Sequence, residues 1–125
     1  EDAIYATKAA LKEGIVPGGG VALLNASQKI EPTNVGEEVL FKAIKAPFEV
    51  IMHNAGFNIV EHPGNEGLGV DVVTGKEVDM INAGIIDPVL VTKSALKNAV
   101  SVVMTIVSAD CVISNARQDD YESNK

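Results

Sequence analysis

Apolar residues recur at helical spacing over most of this chain. In residues 2–13, DAIYATKAALKE, Ile4, Lys8 and Leu11 share one face, and alanines fill positions 3, 6, 9 and 10. That pattern predicts an alanine-rich helix, with Gly14 as its stop. A corner at residues 15–20 precedes a second helix over residues 21–30. Residues 31–34, EPTN, form a turn. Residues 35–46, VGEEVLFKAIKA, read as an amphipathic helix with Val35, Val39, Leu40, Ala43 and Ile44 inward. Pro47 disfavours helix at Ala46 and suits the first position of a new helix ending at Gly56.

The periodicity then changes. Residues 57–69 hold a short helical piece and a Gly/Pro-rich loop. Residues 69–81, GVDVVTGKEVDMI, place β-branched residues on both sides of Thr74 and Gly75, the pattern of a small β-hairpin. After a turn at residues 82–84, Asp87 and Pro88 read as the N-cap and first position of a long helix reaching about Ala109. The tail from about residue 116 is polar and expected to be mobile. The fold class that follows is mainly α and multihelical, with one small hairpin near 69–81.

Composition narrows the function classes. The formal net charge of −7 gives little attraction to a phosphate backbone, so nucleic acid is not an expected partner. No basic amphipathic helix points to a membrane surface, and the apolar run 99–113 reads as too short and too polar to span a bilayer. Aromatics make up only 4% and tryptophan is absent, so the core must be aliphatic. Cys111 is the only cysteine, which excludes an intrachain disulfide; in an apolar run it reads as a small buried hydrophobe. Residue 1 is not Met and already lies in a helical pattern, so the chain is expected to be a segment of something larger.

Candidate chemistry is sparse. Residues 17–20, PGGG, stand immediately before a helix. Glycine-rich corners of this kind can cradle a ligand's phosphate at a helix N-terminus. They also serve where two backbones approach too closely for a side chain. The run matches neither standard phosphate-loop spacing, so both readings stay open. Asp87 serves as a helix cap or as a carboxylate that accepts both hydroxyls of a ribose. Asp71 is a turn residue of the hairpin or a ligand contact, and Asp2 suits the start of a helix. His53 and His62 have no partners at metal-ligand spacing, so no metal site is expected. No nucleophile–base pair stands out.

Taken together, EDAIYATKAALKEGIVPGGGVALL, VGEEVLFKAIKAP, GVDVVTG and MINAGIIDPVLVTKSALKNAVSV resemble group I chaperonins, in that family's order and nearly to Asn115. The resemblance implies that residues 1–16 are the C-terminal helix of an intermediate domain. Residues 17–125 would be the C-terminal half of an equatorial ATPase domain. It implies ATP or ADP as the ligand, with Mg2+ and K+ held by residues outside this chain. Asp2 matches the aspartate that orients the attacking water, and Gly19 the glycine whose backbone lies against the nucleotide. Asp71, Val72 and Val73 match hairpin positions bordering the adenine, where smaller residues than Val are common at 72 and 73. Asp87 matches the aspartate that holds the ribose hydroxyls. The glycine run would then be a floor for the nucleoside rather than a phosphate cradle.

The whole protein would be an ATP-hydrolysing folding machine, with unfolded client proteins, a co-chaperonin and ring self-association as partners. The resemblance places it in the bacterial cytoplasm, with the mitochondrial matrix or a plastid as alternatives. This segment alone is expected to be inactive. A nucleotide-binding helical regulatory or assembly module without folding activity is the alternative.

Overall fold

The computed structural model describes residues 2–58, 63–109, 111 and 113. In chain order it contains α1 (Asp2–Glu13), β1 (Ile15–Pro17), α2 (Val21–Lys29), α3 (Val35–Ala43), α4 (Ala46–Asn54), β2 (Leu68–Asp71), β3 (Lys76–Asp79), β4 (Ile86–Pro88) and α5 (Val89–Val107). The chain separates into two units, Glu1–Lys93 and Ser94–Lys125. The expected boundary between residues 16 and 17 falls inside β1 and inside the first of these. The expected change at residue 116 and most of the short helical piece after Gly56 lie outside the described residues.

The helices begin and end for local reasons. α1 stops where the Gly14 amide donates to Ala10 O at 2.8 Å. α3 starts at a reciprocal cap. Asn34 Oδ1 accepts from the Glu37 amide at 3.0 Å, while the Glu37 carboxylate accepts from the Thr33 amide at 2.7 Å and hydroxyl at 2.8 Å. Two orphan donors at a helix start are thus satisfied together. These bonds, the Thr33 amide foremost, hold the Glu37 carboxyl below its usual range. α4 begins at Ala46 with Pro47 in its first turn, where a missing N–H costs nothing.

Two antiparallel pairs organise the first unit. β2 and β3 form the expected hairpin, with Leu68 opposite Asp79 and Asp71 opposite Lys76. β1 and β4 form a second ribbon that periodicity did not predict, with Ile15 opposite Pro88, Val16 opposite Asp87 and Pro17 opposite Ile86. Backbone bonds extend it at both ends: Val89 N–H to Gly14 O at 3.1 Å, and Gly18 N–H to Ile85 O at 2.9 Å. Three-residue strands are too short to show alternation, and each carries a proline at its end, where the missing donor is tolerated.

The core is small. Val21 and Leu24 of α2, Phe48 and Met52 of α4, and Met80 after β3 form one buried cluster, flanked by Phe57, Val70, Val78 and Ile85. Burying one such side chain contributes about 1.5–3 kcal/mol. Two predicted faces are corrected. On α3, Ile44 is buried and Leu40 half-buried, while Val35 and Val39 are exposed and Ala43 faces solvent. The stripe that turns inward is 37, 40, 41 and 44, the side on which the core lies. On α1 the buried residue is Ala9, whereas Ile4 and Leu11 are exposed.

The glycine run sits where three segments meet. A β-carbon on Gly18 would lie 3.1 Å from the Ile85 carbonyl and the Ile86 amide nitrogen. One on Gly19 would lie 2.9 Å from Met80 Cε, and one on Gly20 2.6 Å from the Phe48 amide nitrogen. Gly19 and Gly20 also adopt φ of +64° and +78°, a region costly for any residue with a β-carbon. The run is therefore required by the chain's own packing.

In the second unit, the α5 residues Val102, Val103, Met104, Ile106 and Val107 are exposed. Starting at Val89 rather than within the run 99–113, α5 is long and apolar enough to cross a membrane by length and composition, though Lys93 and Lys97 lie within it. α5 is thus longer than the apolar run 99–113 that was expected to be too short for a span. Cys111 is exposed rather than buried, because α5 ends before it.

Candidate functional site

Asp87 lies in the middle of β4, paired with Val16. It does not act as a helix cap: α5 starts two residues later, and among the described residues no hydrogen bond joins its carboxylate to the first turn of α5. The side chain is exposed, and among the described residues no hydrogen bond or ion pair engages it. Among the described residues the strand thus presents an unengaged carboxylate with four acceptor lone pairs, an acceptor set that suits two adjacent hydroxyls.

The ribbon connects Asp87 to the glycine corner. From the Val16–Asp87 pair it runs to the Gly18–Ile85 bond, and Gly19 follows directly. Val16, which faces Asp87, precedes Gly19 by three residues. The hairpin joins the same corner through its base. A β-carbon on Gly69 of β2 would lie 2.6 Å from Val21 Cγ2 and 2.7 Å from Met80 Sδ. Gly19, Asp87 and the hairpin base therefore share one neighbourhood.

Asp71 is occupied locally. Its Oδ1 accepts from the Val73 amide and its Oδ2 from the Thr74 hydroxyl, both at 2.9 Å. These bonds, the Val73 amide foremost, hold its carboxyl below the usual range. The carboxylate closes the hairpin turn. Val72 and Val73 form the tip, with Val73 90% exposed. Asp2 lies at the far end of α1, exposed and about 16 Å from the helix's other end by helical rise. The structure does not bring it to Asp87. At that other end, Lys93 Nζ meets Glu13 Oε2 at 2.7 Å.

Among the described residues no three His, Cys, Asp or Glu side chains gather as a metal site would require. His53 is exposed in the last turn of α4, and His62 lies outside the described residues. Sequence reasoning missed Met80, Ile85 and the β1–β4 ribbon. The one signal for Met80 was an apolar residue directly after the hairpin, which periodicity alone does not mark as structural.

Comparison with known proteins bears on this arrangement. Residues 1–117 match the TCP-1/cpn60 chaperonin family. A crystal structure of a group III chaperonin in the open state superposes with a TM-score of 0.73 at 33% sequence identity, over 84% of this chain. The match covers 25% of that protein, so the present chain spans about a quarter of its length. A mainly helical fold with two small antiparallel ribbons, matched over nearly its whole length, settles the assignment: the chain belongs to the TCP-1/cpn60 chaperonin family.

Proposed function

We propose that this chain is the C-terminal part of a group I chaperonin subunit and supplies the nucleoside side of its ATP site. The observation that carries this reading is the free Asp87 carboxylate, held in a strand beside the glycine corner. A capping or ion-paired aspartate would be spoken for, whereas among the described residues nothing engages this one. Asp87 accepts the two ribose hydroxyls, and the backbone at Gly19 lies along the sugar. Asp71, Val72 and Val73 border the adenine, with the Asp71 carboxylate fixing the turn rather than touching the base.

Bound ATP supplies a transferable phosphoryl group whose hydrolysis drives the folding cycle. Asp2 orients the attacking water, and because it lies at the far end of α1 it reaches the site by movement of that helix. Mg2+ and K+ are held by residues outside this chain, which is therefore inactive alone. The full subunit forms rings, encloses unfolded clients under a co-chaperonin, and works in the bacterial cytoplasm. Rings of seven and co-chaperonin binding by the complete subunit would separate this reading from a nucleotide-binding module without folding activity.

The test is Asp87→Asn in the complete subunit, read by titration calorimetry with ATP. Hydrogen bonds to a charged group contribute about 1.5–3 kcal/mol, so affinity should fall by about 10- to 150-fold. Melting without nucleotide should not change, because Asp87 caps nothing. Wild type should lose affinity for 2′-deoxy-ATP, and the variant should lose less. Undiminished ATP binding by Asp87→Asn refutes the ribose role.

A further inference from the structure

We propose that Met80 is a positioning residue that sets the gap between the glycine corner and the hairpin, and through it the affinity of the nucleoside site. This rests on the nucleotide reading above and adds a residue to it. Met80 is 2% exposed and binds three segments at once. Its amide donates to Gly67 O at 3.0 Å, and its carbonyl accepts from the Ile85 amide at 2.8 Å. Its side chain passes between two bare backbones, with Cε toward Gly19 and Sδ and Cγ toward Gly69.

Those contacts link every element of the proposed site. Gly19 belongs to the corner, and Gly67 and Gly69 lead into the strand that ends at Asp71. Ile85 accepts the Gly18 amide two residues before Asp87. An unbranched thioether suits the gap, because it threads a narrow, irregular space that a branched side chain would spread. Pulling Met80 out would let the corner, the hairpin and β4 shift relative to one another. Met52 offers the matched control: it is 3% exposed in the same cluster, but it is not among the atoms nearest to a β-carbon placed on any glycine of the corner.

The experiment compares Met80→Ala, Met80→Leu and Met52→Ala in the complete subunit. Two readouts are used: ATP affinity by calorimetry, and amide hydrogen exchange at Gly18 and Val21 without nucleotide. Met80→Ala should bind ATP at least about tenfold more weakly than Met52→Ala, equivalent to about 1.4 kcal/mol. It should also exchange faster at both amides. Met80→Leu conserves volume and should melt near wild type, yet shift both readouts in the same direction; it keeps the test alive if Met80→Ala does not fold. Equal affinity and exchange in Met80→Ala and Met52→Ala, or an unchanged Met80→Leu, overturns the role of Met80 while wild type still binds ATP. Failure of wild type to bind ATP instead overturns the nucleotide reading and this inference with it.

Discussion

Replacing Gly20 with Ala tests whether packing explains the glycine run. Two penalties act there. The φ of +78° costs an L-residue about 1–2 kcal/mol. The new β-carbon also lies 2.6 Å from the Phe48 nitrogen and 2.8 Å from its α-carbon. These are backbone atoms of α4, held in place by the buried Phe48 ring, which is 1% exposed. Neither can rotate aside, so overpacking adds about 1–3 kcal/mol, and the whole loss is about 2–5 kcal/mol. That is a large share of the roughly 5–15 kcal/mol that holds a domain together.

Gly14→Ala isolates the first penalty: its φ is +87°, but nothing lies within 4 Å of the added carbon. It should cost about 1–2 kcal/mol. Gly19→Ala should fall near Gly14→Ala, because its neighbour at 2.9 Å is the flexible end of Met80. Urea unfolding followed by circular dichroism measures all three. At about 4 °C per kcal/mol, Gly20→Ala should melt roughly 8–20 °C below wild type and Gly14→Ala roughly 4–8 °C below. If Gly20→Ala costs no more than Gly14→Ala, the contact with Phe48 is not what demands a glycine.

Two further outcomes are expected. Because the Val73 amide and Thr74 hydroxyl lower the Asp71 pKa, its support of the hairpin is complete above the unfolded value near 3.8 and is lost as pH falls through the lower folded value. An NMR titration should therefore place the Asp71 midpoint below that of an unstructured peptide, with Val73 amide protection fading in step; a midpoint at the ordinary value rejects the turn bonds. In the complete subunit, Asp2→Ala should lower ATP turnover by about 10²-fold, the scale of a lost base or water-positioning group, while ATP still binds; wild-type turnover would remove Asp2 from the mechanism.

The sequence by itself determined the elements whose information is local. The alanine-rich α1, the stop at Gly14, the turn before α3 and the hairpin near 69–81 each depend on residues within a few positions of one another, so spacing and turn chemistry suffice to place them. The resemblance carried by PGGGVA and GIIDP also pointed to a chaperonin, which the family match bears out.

What only the tertiary structure decided involves pairs far apart in the chain. Ile15–Pro17 and Ile86–Pro88 become strands only because they meet; each alone is too short to have a period. That meeting turns Asp87 from an expected helix cap into a free strand carboxylate. It also brings Ile85 and Met80 against the glycine run, so the protein itself occupies the space that β-carbons there would need. Which face of α3 turns inward follows from the same cause. Val35 and Val39 are as apolar as Leu40 and Ile44, and only the position of the neighbouring core selects between them.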